Sequence, residues 1–105
     1  LNLNKTVMSK IKTKKKSASK QSWQLSGIAQ AQTITKGLIP VGGAEITTEI
    51  RKAGQKKWKK GPSADFDDFG NWKLSLKGLP PGSVVKAKVT DCAWCTDAQR
   101  RVKLR

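Results

Sequence analysis

Residues 71–90 read NWKLSLKGLPPGSVVKAKVT and carry the clearest structural signal in the chain. Over 72–76, and again over 85–89, apolar residues alternate with lysine or serine. An alternation with a period of two gives a strand one apolar and one polar face, and the Gly/Pro segment 78–82 separates the two runs. The stretch therefore predicts two strands that either are antiparallel neighbours or pass between two sheets.

The length of 105 residues suits one domain with a modest core. No apolar run reaches the roughly eighteen residues of a membrane span, so none is expected. The first five residues lack the apolar segment of a signal peptide, and the absence of an initial methionine suggests a fragment or a mature form. An extracellular or periplasmic location is expected if the two cysteines are oxidised, and the cytoplasm is the alternative.

The charge balance is the strongest functional signal. The chain has 22 lysines and arginines, 7 acids and a net charge of +15 at pH 7. Such a chain attracts polyanions, which predicts nucleic acid, acidic polysaccharide or an anionic membrane surface as a partner. The alternative is a solvated basic surface that only aids solubility.

The chain contains no histidine, which removes much of the chemistry of active sites. A histidine general base, a Ser-His or Cys-His pair and a histidine metal ligand are all excluded. We therefore predict no enzymatic activity, no cofactor and no metal site.

The N-terminal segment 1–20 has seven lysines and no acid, and the sequence separates it from a main domain over 21–105. A first strand is expected around 7–12, because the alternation puts Val7, Ser9, Ile11 and Thr13 on one side of it. Residues 14–20 are expected to form an exposed loop.

The rest of the chain shows further alternations. They predict one strand within 21–35, one over 44–52 and a final strand around Val102 and Leu104. Segment 36–43 is rich in glycine and is expected to be a connection.

A lysine cluster around one tryptophan lies between two glycines and comprises Lys56, Lys57, Trp58, Lys59 and Lys60. Lysine pairs with phosphate or sulfate, and an indole stacks on a base or a sugar face, so this cluster suits a polyanion. In the alternative, Trp58 is a core residue of a short strand with snorkelling lysines beside it. The core interpretation is favoured, because a tryptophan in a small β-domain is usually structural.

Cys92 and Cys95 form a CxxC pair just after a predicted strand. Thioredoxin-like redox sites share this spacing, but they need a longer βαβ framework, and the chain ends ten residues later. Two cysteines without histidine supply only half of a zinc site. The pair therefore favours a hairpin tip with either a short disulfide or free thiols. Trp94 between them is a second candidate stacking surface.

Three aspartates, Asp65, Asp67 and Asp68, lie close to Gly70. They resemble a calcium loop only loosely, because Leu76 stands where the late acid is needed. A glycosidase would need a second, separate acidic site. The pattern favours a turn in which aspartate accepts hydrogen bonds from backbone N–H groups.

The segments 68–76 (DFGNWKLSL), 79–82 (LPPG) and 85–91 (VKAKVTD) resemble the second half of a bacterial Ig-like or fibronectin-III-like domain, and 23–29 (WQLSGIA) resembles its early strand. The resemblance covers about 21–105 and implies an all-β fold, a Greek-key antiparallel β-sandwich of about seven strands. It leaves the function open, because such domains serve as spacers, adhesive modules and enzyme appendages. The lysine-rich strands and the CAWC segment depart from the family, and a special function is expected there.

If the strand over 84–90 pairs with the last strand, one sheet face carries Lys86, Lys88, Arg101, Lys103 and Arg105. Like charges opposite one another destabilise a sheet, so an anion lying across this face would explain the pattern. The sequence therefore predicts a non-catalytic module that binds nucleic acid or acidic polysaccharide. The alternatives are a spacer or interaction domain of a larger exported protein, whose partners are the other domains of that protein, and a CxxC oxidoreductase.

Overall fold

The computed structural model describes residues 4–17, 19–33, 37–41, 44–90, 92 and 94–105. Over these residues every regular element is a β-strand, which confirms the all-β class. The strands are β1 (Lys5–Met8), β2 (Lys12–Ser17), β3 (Ser22–Thr33), β4 (Gly37–Pro40), β5 (Glu45–Arg51), β6 (Lys59–Lys60), β7 (Ala64–Asp65), β8 (Asn71–Leu76), β9 (Val84–Thr90) and β10 (Ala98–Lys103). In the same part of the chain, no helix is long and apolar enough to cross a membrane.

The strands form two antiparallel sheets of five strands each. In the first sheet the long strand β3 is central, with β1 and β2 along one edge and β4 and β8 along the other. The second sheet runs β10–β9–β5, and the short strands β6 and β7 pair with the other edge of β5. Inward side chains of both sheets form one apolar core, whose fully buried members include Leu25, Ile46, Val85 and Val89. This arrangement is consistent with a β-sandwich.

The two alternating runs of 71–90 lie in different sheets. β8 pairs with β3 in the first sheet, and β9 pairs with β5 and β10 in the second. Of the two arrangements predicted from the sequence, the passage between sheets is therefore the observed one. Hydrogen bonds fix the connection: the buried Ser83 hydroxyl donates to the Pro80 carbonyl at 2.8 Å, and the Gly82 N–H donates to the Leu104 carbonyl at 2.6 Å.

The first strand buries the side opposite to the predicted one. Met8 is buried, whereas Val7 is 39% exposed. Residues 9–11 stand opposite only two residues of β3, so this edge carries one extra residue between β1 and β2. An extra residue reverses the alternation, which is why Ile11 is buried although Val7 is not.

Two segments predicted as loops are strands. Lys14 to Lys16 belong to β2, and 37–40 forms β4, which pairs with β3. In both cases β3 supplies a hydrogen-bonding partner, and this tertiary pairing overrides the local preference of lysine, glycine and proline for a loop. Ala18, Lys36 and 42–43, which the same predictions include, lie outside the described residues.

Gly27 lies where the packing leaves no room for a side chain. A Cβ at this position would lie 2.8–2.9 Å from three atoms of the Trp72 indole, and Trp72 is only 2% exposed. We expect Gly27→Ala to lower the free energy of unfolding by about 1–3 kcal/mol, the usual cost of overpacking. Urea unfolding measures this difference. In a Trp72→Leu background the extra cost should vanish, and a cost that persists there would show that the clash is not its cause.

Candidate functional site

The outer face of the second sheet carries the predicted cations. β9 and β10 pair as expected, and Lys86 stands directly opposite Arg101. The residues that alternate with the β9 lysines are buried and apolar, so the lysines themselves lie on the side away from the core. By this register the face comprises Lys86, Lys88, Arg101 and Lys103. Arg105 follows the end of β10 and is exposed.

Trp58 joins this face and has three cations around its ring. The distance from the ring centroid is 4.5 Å to Lys86 Nζ, 5.2 Å to Arg51 Cζ and 5.5 Å to Arg101 Cζ. All three lie within the range of cation–π contacts. The indole is half-buried and is not part of the apolar core. The interpretation of Trp58 as a core residue is therefore wrong.

The short strand β6 explains how Trp58 reaches the face. Lys60 pairs with Glu49, which lies on the outer side of β5. Trp58 precedes Lys60 by two residues, which is the spacing of residues on one side of an extended chain. The chain after β6 is fixed as well, because the Gly61 N–H donates to the Thr48 carbonyl at 2.9 Å.

The lysines of 56–60 and of 14–16 differ in whether they lie on the basic face. Lys56, Lys57, Lys59 and Lys60 are all exposed. Lys60 shares the register of the outer face, whereas Lys59 pairs with Ile50, which belongs to the opposite side of β5. Lys14 to Lys16 belong to the first sheet and do not extend the face.

An acid lies next to the lysines of the basic face. Glu49 lies opposite Lys86 and forms an ion pair of 2.5 Å with Lys88. The hydrogen bond from Lys88, together with its charge, lowers the pKa of Glu49 below the ordinary value. The predicted face was purely cationic because the prediction rested on the pairing of β9 with β10 alone. The pairing of β9 with β5 places Glu49 beside the lysines and partly neutralises Lys88.

The disulfide interpretation of the CxxC pair is confirmed. Cys92 and Cys95 are disulfide-bonded with their Cα atoms 5.4 Å apart, and Cys95 is buried. Trp94 packs partly against the core, and its carbonyl accepts hydrogen bonds from the backbone N–H and the side-chain amide of Asn4, at 3.2 and 3.1 Å. The segment is thus attached to Asn4, the residue that precedes β1. Ala93, which also belongs to the motif, lies outside the described residues.

The βαβ framework of a thioredoxin-like site would place a helix after Cys95. Residues 94–105 form no helix, and 98–103 is strand β10 instead. This framework differs from the one that a thioredoxin-like site needs.

Asp67 organises the turn before β8, as predicted for the aspartates. Its Oδ1 accepts the backbone N–H groups of Phe69 and Asn71, both at 2.8 Å, and its Oδ2 accepts the Asn71 side-chain amide at 3.1 Å. The hydrogen bond from the Asn71 backbone is the largest of several that lower the pKa of Asp67 below its usual value. Among the described residues, no group of three or more acids, cysteines or histidines forms a potential metal site.

The lowered pKa of Asp67 predicts a dependence of stability on pH. A carboxylate with a lower pKa in the folded state stabilises the fold above its unfolded-state pKa, and this contribution is lost as the pH falls through the folded-state value. We expect wild type to be more stable than Asp67→Asn at neutral pH and the difference to shrink as the pH falls below about 4. Urea unfolding over a pH series measures it. Asp68→Asn leaves the Asp67 bonds intact and is the control; an equal pH dependence in both variants would contradict this account.

One groove of the described residues lies apart from the basic face. It has a volume of about 950 Å³ and lies where the first sheet meets the chain around β7. Its charged residues have both signs, among them Lys10, Lys12, Asp65 and Asp67. A mixed rim of this kind does not favour a polyanion, so the groove is distinct from the basic face in its chemistry as well as its place.

Arg51 is a cation of the site that the sequence analysis did not identify. The alternation of its strand identifies it as an outward residue, but nothing in the sequence shows that this strand lies next to the lysines of β9. The only sequence signal is that Arg51 follows Glu49 by two residues, so both lie on the outward side of the strand.

Comparison of the chain with protein-family models, with curated proteins and with solved structures found no match. The resemblance to Ig-like and fibronectin-III-like domains therefore stays a prediction from the quoted motifs.

Proposed function

We propose that this chain is a non-catalytic module that binds a polyanion through the outer face of its second sheet. The observation that carries the proposal is the arrangement of Arg51, Lys86 and Arg101 around the half-buried ring of Trp58. Three positive charges stand close together there, and the one ion pair found on this face in the described part of the chain engages Lys88 instead. An anion on the face would offset their mutual repulsion.

The polyanion is nucleic acid or acidic polysaccharide in this proposal. Each anionic group that a lysine or arginine neutralises releases bound counterions, so the affinity should fall steeply as the salt concentration rises. The exposed cations next to the cluster, Lys56, Lys57, Lys60, Lys103 and Arg105, are suited to extend the contact along a linear chain. No metal or cofactor is needed for binding of this kind.

For the fold we propose an Ig-like, Greek-key sandwich. Two observations support this: the successive strands β4 and β5 lie in different sheets, and so do β8 and β9. β1 and β2 pair with the same edge of β3, β4 and β8 pair with its other edge, and β6 and β7 pair with one edge of β5. If each of these three pairs is counted as one strand, the sandwich has seven strands. The disulfide supports an extracellular or periplasmic location, because such bonds persist in oxidising compartments.

A spacer or interaction domain is the second candidate, and the distribution of lysine favours it. Exposed lysines also occur on the first sheet, in β2 and at Lys73 in β8. Trp23 and Trp72 are buried in the core, and Lys15 Nζ of β2 lies 5.1 Å from the centroid of the Trp23 ring, so a cation beside an indole also occurs away from the basic face. In this interpretation the positive charge is a general coat, and the cluster at Trp58 has no ligand.

Binding to immobilised heparin and to a labelled DNA oligomer, each over a salt series, distinguishes the two candidates. The test variant is Lys86→Gln/Arg101→Gln, and the matched control is Lys14→Gln/Lys16→Gln, which removes the same charge from the first sheet. We expect the test variant to lose much more affinity than the control. Equal losses would overturn the proposal and favour the spacer.

A further inference from the structure

The role of Trp58 follows from the position of its cations. The faces of an indole carry the negative part of its quadrupole, and they attract either a cation or the edge of another ring. Lys86 Nζ lies 4.5 Å from the centroid, and the guanidinium groups of Arg51 and Arg101 lie 5.2 and 5.5 Å from it. The ring is also half-buried. A base or a sugar that stacked on Trp58 would therefore compete with the cations of the protein itself.

The same geometry sets the spacing of the positive charges. Each of the three charges lies within 5.5 Å of one centroid, so no two of them are more than twice that distance apart. Such separations are comparable to the Debye length of about 8 Å at physiological ionic strength, so the repulsion is only partly screened. The ring offsets part of this repulsion and holds the charges together without neutralising them.

We propose that Trp58 is a positioning residue that gathers Arg51, Lys86 and Arg101, and that the ligand is recognised by closely spaced oxyanions, phosphate or sulfate, without stacking of its rings. This inference rests on the proposed function and narrows it to ligands of high charge density. Inorganic polyphosphate has such groups and no rings, whereas single-stranded DNA has both. Sulfated polysaccharide supplies the same anion chemistry from a sugar chain.

Binding of inorganic polyphosphate, heparin and an oligo-dT of matched total charge tests this in wild type, Trp58→Leu and Trp58→Phe. We expect polyphosphate and heparin to bind at least as tightly as oligo-dT. Trp58→Leu should weaken all three ligands by the same factor, roughly two- to fivefold, because it removes the aromatic face that holds the cations together. Trp58→Phe, which keeps an aromatic face, should restore most of the affinity.

Two outcomes would overturn the inference. In the first, Trp58→Leu weakens oligo-dT and leaves polyphosphate unchanged, which would identify Trp58 as a stacking surface. In the second, oligo-dT binding depends on Lys86 and Arg101 while polyphosphate does not bind. Both leave the proposed function standing. The proposed function itself fails if the Lys86→Gln/Arg101→Gln variant binds every ligand as tightly as its control. Thermal unfolding of each variant confirms that it is folded.

Discussion

Neutralising Lys86 and Arg101 together should weaken binding to duplex DNA by about 30-fold at a salt concentration of about 0.15 M, and by more at lower salt. The two side chains stand opposite each other on neighbouring strands and share the ring of Trp58, so one linear anion can contact both. Removing one cation that neutralises a phosphate should reduce the slope of log K against log salt by about 0.9, so the pair should reduce it by about 1.8. A titration of labelled DNA at four or more salt concentrations gives both quantities.

The slope of log K against log salt distinguishes binding at one specific face from binding by positive charge spread over the whole surface. The control variant Lys14→Gln/Lys16→Gln has the same net charge as the test variant, so long-range attraction falls equally in both. A control slope close to that of wild type would support direct contact at Lys86 and Arg101. If both variants lower the slope by the same amount, the contacts are spread over the whole surface and the basic face is not a site.

Replacing Trp23 by alanine should lower the free energy of unfolding by about 3–5 kcal/mol, which is a large part of the roughly 5–15 kcal/mol typical of a domain. Trp23 is 2% exposed, and its Nε1 donates to the Leu79 carbonyl at 2.8 Å across 56 residues of sequence. The substitution leaves both a cavity and a buried carbonyl without its donor. Urea unfolding followed by circular dichroism measures the loss.

The variant Trp23→Phe divides this effect into its two parts. It keeps most of the apolar volume and removes the donor to the Leu79 carbonyl, so we expect a cost of about 1–3 kcal/mol. A cost equal to that of Trp23→Ala would mean that the hydrogen bond outweighs the packing. No cost at all would mean that the carbonyl finds another donor.

The strands with clear alternation could be predicted from the sequence, whereas their neighbours could not. The runs at 72–76 and 85–89 are strands with the predicted buried sides. Alternation reports which side of a strand is buried but carries no information on its partner, so the placement of β8 and β9 in different sheets stayed open. The side buried by β1 was predicted wrongly because a single extra residue at 9–11 reverses the pattern, and lysine, serine and isoleucine give no local sign of it.

Most cations of the candidate site were predicted, but Arg51 and the arrangement of the residues were not. The prediction that the cations of 84–90 and of the last strand share one face assumed that these two strands are neighbours, and the structure confirms that assumption. The positions of Trp58, Arg51 and Glu49 depend on the edge of β5, to which β6 returns after a loop. Composition shows that tryptophan and lysine are clustered in this loop, and only the register shows which face they reach.

The central place of β3 has a consequence for how the domain forms. Three of its four neighbours in the first sheet, β1, β2 and β4, are close to it in sequence, whereas β8 lies about 50 residues away from it. Bringing such distant segments together requires closure of long loops before the contacts compensate for the lost entropy. The pairing of β8 with β3, which completes the first sheet, is therefore expected to form late. Folding of this kind exposes one edge of β3 transiently, and the lysines of its neighbour β2 then flank this strand at the moment when it is most prone to join a foreign edge.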